Sequence, residues 1–223
     1  MHIRLDMAQL FHETTGKSGT IYFCRFEDST DDLVAQAKSN GIAVMFPPEI
    51  HHEKRKREWL VLKMLLMEAR IESVFYHENG KPYLNDGRYI SISHGESLAG
   101  ILVSDNNVGL DIQKPDEKLK HIKHKFCNEV EMKWCIEDKD ELEKLAILWT
   151  SKEAVFKYFG EQVHFALDIT VDSFSLEQAE IFASYKGVHG KRKFPLHHGQ
   201  IADYHYVFTT DWRNNDVITQ VFI

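Results

Sequence analysis

Val108-Gly109-Leu110-Asp111-Ile112-Gln113 sits near the middle of the chain and divides it. The segment has the length and apolar content of a strand. Asp111 and Gln113 are two apart and share one face, whereas Leu110 and Ile112 take the other. Just upstream, Leu98 to Ser104 reads as another strand and Asp105-Asn106-Asn107 as a turn. Two strands joined by a polar turn favour an antiparallel hairpin. The break between two halves of the chain is placed here, near Asp105 to Asp111.

Upstream of the break, Ile21 to Phe26 reads as a strand from its aromatic and β-branched residues. Asp31 to Asn40 has a cap in Asp31 or Thr30 and is closed by Gly41, so it reads as a short helix. From Ile50 to Glu72, Trp59, Leu62, Leu65, Leu66 and Ala69 recur at helical spacing. The first half of that helix is basic, with Lys54, Arg55, Lys56, Arg57 and then Lys63. Gly80-Lys81-Pro82-Tyr83-Leu84 is a turn into extended chain. Tyr89 to His94 alternates apolar and polar residues, as a half-buried strand does.

Downstream, His121 to Lys125 and Asn128 to Glu137 read as helices. Asn128 is placed to cap the second, with Glu131 in the capping-box position. Glu141 to Phe159 is a long helix ended by Gly160. Ile169–Phe174, Ile181–Tyr185, Tyr204–Thr210 and Val217–Phe222 read as strands. Each half therefore holds a long helix and several strands. The expected fold is α+β, with two similar, pseudo-twofold lobes over residues 1–107 and 108–223. Each lobe packs a long helix on a small, mostly antiparallel sheet. Two such lobes in one chain could assemble a complete site, so a monomer is expected.

At 223 residues, the chain suits one large domain or two small lobes. Its hydrophobic content of 43% and charged content of 27% are those of a globular protein. A formal net charge of −7 argues against a general nucleic-acid binder, which needs a basic surface. Three cysteines without a CxxC pattern argue against a disulfide framework or a structural zinc site. Met1 to Asp6 lacks the apolar core of a secretory leader. No apolar run approaches the roughly 20 residues that cross a bilayer. A cytoplasmic protein that neither binds nor spans a membrane is the expectation. Thirteen histidines are scattered or adjacent, and neither arrangement has metal-ligand spacing.

Asp111 and Gln113, projecting side by side, suit a hard cation such as Mg²⁺, which prefers oxygen ligands. An edge strand with its polar face in solvent is the plainer alternative. The second polar cluster is Trp149-Thr150-Ser151-Lys152-Glu153-Ala154-Val155-Phe156-Lys157 on the long helix. Glu153 and Lys157, four apart, share a face. They read either as a surface pair or as a metal ligand or base (Glu153) beside phosphate contacts (Lys152 and Lys157).

Taken together, the two segments resemble the signature of the 4′-phosphopantetheinyl transferases of the larger, surfactin-synthetase-activating (Sfp) type. That pattern is a Gly-hydrophobic-Asp strand followed some forty residues later by Trp-Ser/Thr-x-Lys-Glu-Ala/Ser-x-x-Lys. Gly80-Lys81-Pro82-Tyr83 is similar to the family's Gly-Lys-Pro turn. Ile92-Ser93-His94-Gly95 resembles its Ser-His-Ser strand end, and Lys56-Arg57-Glu58-Trp59 its basic helix. Phe126-Cys127-Asn128 with Glu131 resembles its Phe-x-Ser-x-x-Glu segment. The resemblance runs from about Arg55 to Gly160.

The resemblance implies transfer of the phosphopantetheine arm of coenzyme A to a serine of an acyl- or peptidyl-carrier protein. It makes Asp111 and Glu153 Mg²⁺ ligands and Lys157 a pyrophosphate contact. Arg57, Lys81, Ser93, His94 and Lys152 are expected to bind coenzyme A. Glu153 or Glu131 is the expected general base. Many members carry a carboxylate where Gln113 stands, so the metal set is expected to be Asp111, Gln113 and Glu153, with one charge fewer. The helix from Asn128 and the segment His121–Lys125 are candidate docking surfaces for an acidic carrier. A coenzyme A or carrier-binding module without chemistry, or an unrelated Mg²⁺-dependent phosphohydrolase, are the alternatives.

Overall fold

The computed structural model describes residues 9–15, 19–136, 139–160, 163–187, 190–210 and 218–222. Met1 to Asp6, Glu137 and Val217, which figure in the expectations above, lie outside them. Described residues up to His77, Pro82–Asn106 and the last strand form one compact unit. Glu78–Lys81 and the described residues from Asn107 to Thr210 form the other.

In the first unit, β1 (Gln9–Thr15), β2 (Thr20–Arg25), α1 (Thr30–Ser39) and α2 (Glu53–Glu68) come first. They are followed by β3 (Phe75–Tyr76), β4 (Pro82–Tyr83), β5 (Tyr89–His94) and β6 (Leu98–Ser104). All seven residues of β6 are buried, which suits its place between β2 and β5. Ser29 caps α1, its hydroxyl oxygen accepting from Asp32 N. That moves the cap one residue upstream of the expected Thr30, or two upstream of Asp31. Leu60, Val61, Met64 and Leu65 of α2 join Leu33 and Ala37 of α1 and Ile101 of β6 in the core. The basic start of α2 is partly offset on the helix itself. Lys56 pairs with Glu53 at 2.7 Å and Arg55 with Glu58 at 2.8 Å, surface pairs that contribute little to stability.

The second unit begins with β7 (Val108–Gln113), α3 (Lys118–Phe126), α4 (Glu129–Cys135), α5 (Glu141–Phe159) and α6 (Phe165–Asp168). β8 (Ile169–Val171), β9 (Glu180–Gly187), β10 (Gly190–Ile201) and β11 (Tyr204–Thr210) follow. Its sheet has the order β7-β11-β10-β9-β8, and every pairing is antiparallel. Ala146, Leu148 and Val155 of α5 meet Ala183, Leu196 and Val207 of the sheet in one core. Gly160 adopts φ 67°, the left-handed conformation that ends a helix cheaply only at glycine.

Three sequence expectations give way. The hairpin of Leu98–Ser104 with Val108–Ile112 does not form, since β6 pairs with β2 and β5 while β7 pairs with β11. A polar turn marks a change of direction but does not choose the next partner. The last strand, β12 (Ile218–Phe222), was expected in the C-terminal lobe. It pairs with β1 in the first sheet, antiparallel, with Phe11 opposite Phe222. β10 was not expected, because Lys, His and Pro195 obscure its alternation. Its first half pairs with β9 and its second, from His197, with β11. Pro195 thus precedes the β11 ladder, where a missing N–H is tolerated.

Candidate active site

Gly109 decides how closely α5 approaches β7. A Cβ at this position would overlap the Ala154 carbonyl oxygen and lie 2.8 Å from Tyr158 N. Both obstacles are helix backbone, which no rotamer change removes. Gly109→Ala is therefore expected to lower the unit's stability by about 3 kcal/mol or more, the upper end of overpacking effects. An unchanged urea midpoint would contradict this packing argument.

Asn107, Gly109 and Asp111 alternate onto one face of the chain, and each meets the last turns of α5. Asn107 Nδ2 donates to the Tyr158 carbonyl at 2.7 Å. Gly109 lets the backbones touch. Asp111 Oδ1 accepts from Lys157 Nζ at 2.7 Å. Asp111 is buried and Lys157 partly so, which strengthens this pair over one in open water. Glu153 lies one turn before Lys157 on the same helix face. Burial pushes its carboxyl up to about 7, the nearby Asp111 charge adds to the rise, and Lys157 opposes it. Asp111 thus acts on Glu153 as a like charge, and Lys157 partly offsets it.

Two residues expected at the site have other work. Lys152 is fully buried. Its ammonium donates to Glu131 Oε2 and the Phe126 carbonyl, each at 2.7 Å, and to the Phe165 and Ile169 carbonyls, each at 2.9 Å. An ammonium has three N–H groups, so four protein acceptors leave none for a phosphate. Burial lowers the Lys152 pKa, and Glu131 opposes the fall. Glu131 is equally sealed: it accepts from Asn128 N and Val171 N, each at 2.8 Å, and completes the capping box of α4. A carboxylate held by three donors away from solvent cannot serve as the base. The roles expected of Lys152 with coenzyme A and of Glu131 in catalysis are corrected to structural ones.

Lys81 belongs to the short segment that packs with the second unit. Its ammonium donates to the Tyr158 carbonyl at 2.7 Å and to Asn107 Oδ1 at 3.1 Å, and burial lowers its pKa. Gln113 donates from Nε2 to the Lys114 carbonyl at 2.7 Å. Arg57, Ser93 and His94 lie in the first unit. Arg57 is half-buried on α2, and its Nε is buried without a hydrogen-bond partner. Ser93 is buried and His94 exposed at the end of β5. In the segment His121–Lys125, expected to dock a carrier, Lys123 pairs with Glu141 at 2.8 Å.

Comparison with known proteins adds an independent line. Residues 107–211 match the family model of the 4′-phosphopantetheinyl transferase superfamily. Over that segment the chain is similar to the members of that superfamily. The 4′-phosphopantetheinyl transferase gsp of Aneurinibacillus migulanus is 27% identical over 128 residues, covering 54% of this chain and 52% of its own length. The chain thus matches about half the length of that curated relative. The transferase-family segment contains β7 and α5, and with them Asp111, Glu153 and Lys157.

The donor set fits a hard divalent cation. Two carboxylates lie close enough for one to raise the other's pKa, and a dication would remove that repulsion. Among the described residues, no group of three His, Cys, Asp or Glu forms a metal cage. The protein would supply two carboxylates, leaving remaining positions to water or phosphate oxygens, as Mg²⁺ prefers. Asn107 and Asn79, which donates to the Gly160 carbonyl at 2.9 Å, were not foreseen. The signal for Asn107 was its parity with Gly109 and Asp111. No helix of the described residues is long and apolar enough to cross a membrane.

Proposed function

We propose that the chain transfers the phosphopantetheine arm of coenzyme A to the serine of an apo acyl- or peptidyl-carrier protein. The observation that carries this reading is the convergence of Asp111, Glu153 and Lys157, with the Asp111–Lys157 pair at 2.7 Å. In the reaction, the serine Oγ–phosphorus bond forms as the pyrophosphate P–O bond breaks, releasing adenosine 3′,5′-bisphosphate. Lys157 offers charge-assisted N–H bonds to the pyrophosphate. Glu153 accepts the serine proton as the general base. Asp111 and Glu153 would hold Mg²⁺, which supplies compensation for the charge gathering on the leaving phosphate. The family resemblance also gives Arg57, Ser93 and His94 a phosphate-binding role. Lys81 keeps one N–H that Tyr158 and Asn107 do not take.

The test is incubation of the purified chain with coenzyme A, Mg²⁺ and a panel of apo carriers, followed by mass spectrometry. A carrier heavier by one phosphopantetheine arm, absent with Glu153→Ala, supports the proposal. Coenzyme A binding without transfer to any carrier, or release of free phosphate, would overturn it. Gln113→Glu would add a charged oxygen next to Asp111. The half-saturating Mg²⁺ concentration for transfer is expected to fall several-fold, and no tightening would count against Gln113 as a neighbour of the metal.

A further inference from the structure

We propose that Asn107 is a positioning residue, which with Lys81 fixes the end of α5 so that Lys157 and Glu153 face Asp111. The catalytic part of this inference rests on the transferase reading; the mechanical part does not. Tyr158 directly follows Lys157, and its carbonyl is among the last four of the helix, which lack intrahelical donors. Two side chains from outside the helix supply donors. Asn107 Nδ2 and Lys81 Nζ each reach the Tyr158 oxygen at 2.7 Å. Asn107 Oδ1 in turn accepts from Lys81 Nζ at 3.1 Å, closing a triangle.

The chemistry permits one orientation of this amide. Lysine has donors only and a carbonyl acceptors only, so the Asn107 oxygen must face Lys81 and its nitrogen Tyr158. The Lys81 charge also suits the negative end of the helix dipole. Asn79 adds a second hold two residues on, donating to the Gly160 carbonyl at 2.9 Å and accepting from Lys81 N at 3.1 Å. Lys81 therefore sits where a Gly160 side chain would go, with its Cδ 2.8 Å from that Cβ position. Because Asn107 is four residues before Asp111 on the same face, one strand sets both the helix end and its ion pair. A helix end that slid by an ångström would carry Lys157 off Asp111, and errors of that size are expensive in catalysis.

The experiment is Asn107→Ala in two backgrounds, native and Lys157→Ala. With Lys157 present, kcat should fall about tenfold, with a smaller change in KM for the carrier. In the Lys157→Ala background, the same substitution should cost less than about twofold, because the group it positions is gone. Equal losses in both backgrounds, or no loss in the first, would overturn the proposal. Amide exchange in the coenzyme A-free chain supplies a readout that does not depend on turnover. Exchange at Val155 to Phe159 should quicken several-fold in Asn107→Ala while the amides of Leu145 to Leu148 hold their rates. Unchanged exchange at the helix end would overturn the positioning role even where the transferase reading stands. A chain with no transferase activity but faster exchange would sink that reading and leave the mechanical role of Asn107 intact.

Discussion

Glu131→Ala should lower the unfolding free energy by about 3–5 kcal/mol, the cost of breaking a buried pair from one side. The argument is one of stranded charge. Lys152 is sealed among Glu131 and three backbone carbonyls, so removal of the carboxylate leaves an ammonium in a dry site with no counter-charge. The Val171 and Asn128 amides lose their acceptor at the same time. Three elements loosen together: the start of α4, the middle of α5 and β8. Urea denaturation followed by far-UV circular dichroism reads the loss. A catalytic base would behave differently, since its removal abolishes turnover and spares stability. Whatever fraction of Glu131→Ala remains folded should still turn over, and a stable but inactive variant would reverse this assignment. Lys152→Met with Glu131→Gln removes both charges together and should recover part of the lost stability.

Glu153→Gln should abolish transfer and, without metal, stabilise the chain above neutral pH. Burial, and then the Asp111 charge, push the folded-state carboxyl up to about 7 from its ordinary 4.5. Between those two values, the folded protein holds a proton that the unfolded chain has released. Stability contributed by this site therefore falls as pH rises through that window, and the full penalty stands above pH 7. Glutamine carries no such penalty. The variant should gain on the order of 1–3 kcal/mol over the native chain at pH 8, and the two should converge below about pH 4.5. Added Mg²⁺ should stabilise the native chain at pH 8 more than the variant, since a ligand stabilises only the state that binds it. Thermal melts across pH, with and without metal, check both signs. A native chain more stable than Glu153→Gln at pH 8 without metal would contradict the rise in the Glu153 pKa that burial and the Asp111 charge produce.

Much of the fold was legible because local pattern and local cap agreed. α5 begins at Glu141 and ends at Phe159 as expected, since Gly160 supplies an unambiguous stop. β5, β6 and β11 likewise match their alternating or apolar stretches. The partners of β6 and β12 were not legible, because strand pairing is set by tertiary packing rather than by the intervening turn. β10 was hidden by its composition, although Phe194 and Leu196 keep the period of two on its buried face.

The site divides in the same way. Same-face spacing within β7 and within α5 brought out Asp111, Glu153 and Lys157, and the family pattern joined them. The burial of Lys152 could not be foreseen. Its acceptors stand 13 to 26 residues away along the chain, and a helical lysine beside a glutamate looks solvated in sequence. Glu131 was ambiguous for the opposite reason: its capping-box spacing was visible and its three donors were not. Lys81 was expected to meet a phosphate, and its helix-capping bond to Tyr158 depends on a turn packing against the far end of α5.

The account turns on Asp111 and Glu153 acting as one unit in transfer. Its most direct test is a double-mutant cycle on kcat/KM for an apo carrier, using Asp111→Asn, Glu153→Gln and the two combined. Each single variant should fall by at least about a hundredfold, and the double variant should be little worse than either. Single variants that retain near-native transfer, or losses that multiply as for independent sites, would contradict it.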